Sequence, residues 1–65
     1  MDAEKLKKDG IYIVREGGGV FKVKVQEVTK TTYVLSNLDS VADAYRVEKQ
    51  RFAKSVIILE EIEQT

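Results

Sequence analysis

The sequence predicts an all-β domain, a small five-stranded barrel with a helical turn before its last strand. Three observations carry this. Five short runs are rich in β-branched and aromatic residues, one of them alternates cleanly between apolar and polar, and three consecutive glycines stand between the first two runs.

The first run is Ile11-Tyr12-Ile13-Val14 and the second Val20-Phe21-Lys22-Val23-Lys24-Val25. In the second, Phe21, Val23 and Val25 share one side and Lys22, Lys24 and Gln26 the other, the period-2 signature of a half-buried strand. Gly17-Gly18-Gly19 reads as the loop of a hairpin, because glycine reaches positive φ without a Cβ clash. Taking all three glycines as the loop sets Glu16 opposite Val20, Ile13 opposite Val23 and Ile11 opposite Val25. The core then receives Ile11 and Ile13, and the outer face receives Tyr12, Val14, Lys22 and Lys24.

The third run is Thr31-Thr32-Tyr33-Val34-Leu35. Val25 and Val28 cannot both face inward on a regular strand, so a β-bulge is expected near Gln26 and Glu27. It would bring Val25 opposite Leu35 and Val28 opposite Tyr33. Residues 37–43 are turn formers. Ala44-Tyr45-Arg46-Val47 makes a fourth strand, with Tyr33 and Tyr45 in the core by parity. Glu48 to Lys54 makes one helical turn that places Phe52 on the core, and Val56-Ile57-Ile58-Leu59 begins the last strand. Residues 1–9 form an N-terminal segment, with a short helix over Asp2 to Lys8 as one option. Residues 10–62 form the barrel and 63–65 an acidic tail.

Sixty-five residues make one domain with a small core, and with no Cys and no His there is neither a disulfide nor the commonest metal ligands to brace it. No cofactor or metal is expected. Eleven basic residues balance eleven acidic ones. No apolar run approaches the roughly 20 residues of a membrane span. The expectation is a free-standing cytoplasmic protein without a membrane partner.

The order of elements resembles that of SH3-like barrels over roughly residues 10–62. The resemblance is one of layout. The Ala-Leu-Tyr-Asp-Tyr-type run and the Trp pair of the peptide-binding SH3 family are missing, since Ile11-Tyr12-Ile13-Val14 stands in the first strand and the chain has no Trp. Recognition of proline-rich peptides is therefore not implied. In style the chain is also similar to small proteins of phages and mobile elements that cap a host protein.

Several features suggest sites, and most have a plainer account. The glycines are followed by a strand, not by the helix a phosphate loop needs. Asp39 and Asp43 lack the further oxygen ligands of a calcium loop and suit a turn. Ser36, Ser40 and Ser55 have no His to activate them, and adjacent Glu60 and Glu61 point to opposite faces of a strand. An enzyme is not expected. The outer set Tyr12, Val14, Lys22 and Lys24, extended by Val34, is expected to bind a protein. Alternatively, Tyr12, Lys22 and Lys24 with Arg46 and Lys49 would bind nucleic acid by stacking and phosphate contact. The plain account has Tyr12 packed over lysine stems beneath Leu6. The leading expectation is a protein-interaction module, a small regulator or inhibitor of a larger host protein of unknown identity. A nucleic-acid-binding barrel and a homo-oligomer pairing edge to edge are the alternatives.

Overall fold

The computed structural model describes residues 3–40 and 43–62. They form β1 (Ile11–Glu16), β2 (Gly19–Val28), β3 (Thr32–Asn37), β4 (Tyr45–Glu48), α1 (Lys49–Ser55) and β5 (Val56–Ile62). The strands make one antiparallel sheet in the order β4-β3-β2-β1-β5. β4 and β5 are its two edges, and no ladder joins them among the described residues. The only helix described, α1, is far too short and polar to cross a membrane. The option of an Asp2 cap and the acidic tail at 63–65 lie outside the described residues.

The core is built on the inner face of the sheet. Tyr12, Val14, Val23, Val25, Tyr33 and Leu35 are all essentially inaccessible, and Phe52, Val56 and Ile58 close over them. Phe52 descends from α1 to meet the Tyr33 ring edge-on, with centroids 5.9 Å apart at 78°. That is the arrangement the ring quadrupoles favour. The helical turn and its buried Phe52 thus follow the sequence expectation.

The phase of β2 also follows it, with Val23 and Val25 buried. So does the bulge. Val25 pairs with Leu35 and Val28 with Tyr33, and the register shifts between Val25 and Glu27. The extra residue keeps both valines on one side of the sheet, but only Val25 is buried; Val28, expected inside, is 37% exposed at the end of the strand, beyond the core. Gln26, at the bulge, donates from Nε2 to Ser36 Oγ at 2.8 Å.

The register of the first hairpin differs from expectation by one residue. Glu16 pairs with Gly19, so the loop is Gly17-Gly18 alone. Gly17 has φ 59° and Gly18 does not have positive φ, the pattern of a type II′ turn. Two-residue turns of this kind match the right-handed twist of the flanking strands, and this turn decides the phase of β1. Tyr12 now faces Val23 and Val14 faces Phe21, while Ile11 faces Lys24 and Ile13 faces Lys22. The core receives Tyr12 and Val14, and the isoleucines turn outward. A second bulge lies between β1 and β5, where Ile13 pairs with Glu60 and Val14 with Ile58, leaving Leu59 unpaired.

Residues 3–8 are not helical. They run as turns across the end of the core, burying Ala3 and Leu6. A helix this short does not hold itself together, because nucleation costs more than one turn returns. The segment finds its backbone partners on two tyrosines instead. Leu6 N–H donates to Tyr33 Oη at 3.1 Å, Tyr33 Oη donates to the Ala3 carbonyl at 2.9 Å, and Lys7 N–H donates to Tyr12 Oη at 2.9 Å. Asp9 N–H reaches the Val25 carbonyl and Val25 N–H the Gly10 carbonyl, which stitches the segment to β2. Gly10 is required here, since a Cβ would sit 2.8 Å from the Tyr12 ring.

Candidate outer-face interface

The expected docking set is divided by the observed register. Tyr12 is 1% exposed and Val14 0%, so neither belongs to an accessible surface. The Tyr12 hydroxyl is held among Lys7 N–H and Glu61 Oε2, at 2.9 and 3.3 Å. Burial raises its pKa, opposed by the Lys7 N–H and reinforced by the Glu61 charge, so it is a neutral phenol at physiological pH. It offers no face for a base to stack on. Lys22, Lys24 and Val34 keep their place on the outer face, each half-buried.

Strand pairing puts directly opposed residues on the same side of the sheet. Across β5, β1 and β2 this defines three rows on the outer face. Ile57, Arg15 and Val20 form the row nearest the hairpin turn; Glu60, Ile13 and Lys22 form the middle one; Ile62, Ile11 and Lys24 form the third. Val20, Ile57 and Leu59 are about half exposed, while Ile11 and Ile13 are partly covered. The result is an aliphatic stripe along β1 and β5, with cations on its β2 side and Glu60 on its β5 side. Lys8 and Glu27, 3.5 Å apart, are the one ion pair among the described residues, so Arg15, Lys22, Lys24 and Glu60 have no ion-pair partner there.

The second basic group is dispersed. Arg46 pairs with Val34 on β4, at the far side of the sheet from β1. Lys49 sits with its Nζ 5.2 Å from the Tyr33 ring centroid, a cation–π contact that ties it to the core. Neither extends the Lys22–Lys24 pair into a continuous phosphate-tracking groove. Tyr45, expected inside, is 39% exposed. It lines a groove of about 320 Å³ between the hairpin turn, β4 and α1, together with Phe21, Phe52 and Val56. Burial raises its pKa, with a smaller push from the Glu16 charge.

Of the remaining candidates, Asp39, Ser36 and Ser55 serve the fold. Asp39 Oδ2 accepts from Lys22 N–H at 2.9 Å and Asp39 N–H donates to Asn37 Oδ1 at 2.9 Å, which fixes the turn after β3. Ser36 Oγ is engaged by Gln26, and Ser55 Oγ donates to the Arg51 carbonyl at 3.0 Å. Sequence reasoning missed Ile11, Ile13, Ile57 and Leu59 as surface residues. The available signal was that Gly17-Gly18 alone suffices for a hairpin.

No family model, no curated protein and no solved structure matches the chain.

Proposed function

We propose that this chain is a non-enzymatic protein-interaction module of SH3-like barrel type, docking through the outer face of β1, β2 and β5. The observation that carries this reading is the aliphatic stripe of Ile11, Ile13, Ile57 and Leu59 beside the cations Lys22 and Lys24. Burying such a stripe contributes on the order of 25 cal/mol per Å² of apolar surface, while the cations select what covers it. The strand order and the helical turn between the last two strands support the barrel. The hydroxyls of Ser36 and Ser55 are spent on structural hydrogen bonds, which favours binding over chemistry. A small regulator of a larger protein is the role such a module fills.

The test is affinity capture from lysate with the wild-type chain and an Ile11→Asn/Ile13→Glu variant whose fold is checked by circular dichroism. Loss of the captured proteins on the double change supports the reading. The same proteins retained by the variant refute this face.

Arg15, Lys22 and Lys24 on one face support nucleic-acid binding as a second reading. A fluorescent oligonucleotide titration at two salt concentrations tests it, because phosphate contacts weaken as salt rises. Absence of binding at low salt removes it.

A further inference from the structure

We infer that a second copy of this chain docks on the outer face, about a twofold axis running along β1. This rests on the outer face being the docking surface, and it names the occupant.

The middle row of the outer face is its own complement. Glu60, Ile13 and Lys22 lie side by side across β5, β1 and β2, with opposite charges at equal strand spacing from the central isoleucine. A twofold axis along β1 exchanges left and right while it turns the face over. It therefore lays Glu60 of each copy on Lys22 of the other and Ile13 on its own counterpart. The row is self-complementary in charge, which an isologous interface requires. The other rows fit the same operation. Ile57 falls on Val20 of the second copy, and Ile62 falls on the aliphatic stem of Lys24, whose amine reaches past it to water. The strands of the two sheets then run roughly aligned, as in face-to-face sheet packing. One contact opposes it: Arg15, an exposed residue, meets its own counterpart at the hairpin end.

Three strands at about 4.8 Å and six residues at about 3.3 Å per residue present a face of roughly 14 by 20 Å. This is small against the approximately 800 Å² per partner of a standard interface, so association belongs at about 100 μM rather than at nanomolar concentration. A larger protein using the same face competes with the second copy.

The experiment is sedimentation equilibrium of the full chain from about 20 μM to 1 mM. The apparent mass is expected to rise from 7.4 kDa toward twice that value. Lys22→Glu and Glu60→Lys each set like charges against one another and are expected to raise the dissociation constant at least tenfold. The Lys22→Glu/Glu60→Lys double variant restores it to within about threefold of wild type, and Arg15→Gln tightens it. Both charged positions lie at the surface, and an unchanged urea midpoint confirms that the fold is intact. A wild-type chain that stays monomeric at 1 mM overturns the inference. So does a dimer indifferent to the single changes, or a double variant as weak as the singles. A monomer whose lysate partners still depend on Ile11 and Ile13 refutes the second copy alone. Partners indifferent to those residues refute the docking face itself.

Discussion

The two hairpins of this sheet fix their registers by different means. Between β2 and β3 the side chains decide: Val25 and Val28 lie opposite the buried Leu35 and Tyr33, and the backbone brings both onto that side of the sheet with a bulge at Gln26. Between β1 and β2 the turn decides: the pair Gly17-Gly18 closes the loop, and β1 accepts whichever face results. A strand whose paired centre is all apolar, as Ile11 to Val14 is, tolerates either phase, so its geometry is inherited from its neighbour. A strand with alternating character imposes its own.

The sharpest way to test this comparison is to truncate the two faces of β1. Val14→Ala removes two methyl groups from a fully buried site and is expected to cost about 2–3 kcal/mol. Ile13→Ala, on the outer face, is expected to cost less than about 1 kcal/mol. Urea unfolding of both variants checks the order, and the reverse order would mean that the isoleucines form the core.

The turn comes next. Gly17→Ala forces an L-residue to φ 59° and is expected to destabilise by about 1–2 kcal/mol. Gly18→Ala meets open space and is expected to lie within about 0.5 kcal/mol of wild type. Equal effects at the two positions in thermal melts would argue against a two-residue turn.

A smaller effect reports the inward placement of Tyr12. Its folded pKa is raised, so the fold binds the phenol proton more tightly than the unfolded chain does. The associated stability is complete below pH of about 10, the unfolded value, and is lost as pH climbs through the higher folded value. Urea midpoints are expected to fall between pH 9 and pH 11, and Tyr12→Phe to flatten that decline. Tyr12→Phe also gives up the Lys7 N–H contact, at about 0.5–1.5 kcal/mol. A Tyr12 in solvent would leave the variant's pH profile unchanged.

The smallest expected effect lies in the second hairpin. Gln26→Ala removes the amide that bonds Ser36 at the bulge, for about 0.5 kcal/mol, without changing which residues are buried. Amide hydrogen exchange checks this, since protection of Val25 and Leu35 should persist.

What the sequence disclosed follows from the same contrast. The phase of β2, the bulge at Gln26 and the descent of Phe52 from α1 were legible, because polar residues at fixed offsets ruled out the alternatives. The phase of β1 was not, because Ile11-Tyr12-Ile13-Val14 contains nothing that objects to either face. β5 hid its bulge at Leu59 for the same reason, since 56–59 is apolar throughout. Tyr45 shows the inward parity of its strand, yet it lies at the end of an edge strand where the core runs out. The covering of the core by Ala3 and Leu6 depends on the single hydroxyl of Tyr33, 30 and 27 residues away from them, a distance no local pattern encodes. The candidate interface was legible only in its lysines.

The pairing of β1 with β5 has a cost in time. Residues 11–16 wait for residues 56–62, and at about 5–20 residues per second the ribosome delivers that partner roughly 2–9 s later. Until then a finished hairpin exposes an aliphatic margin to every nascent neighbour, the condition under which strands recruit the wrong mate. Glu60 and Glu61, carried by β5 itself, bring negative charge to the edge that remains once this wait is over.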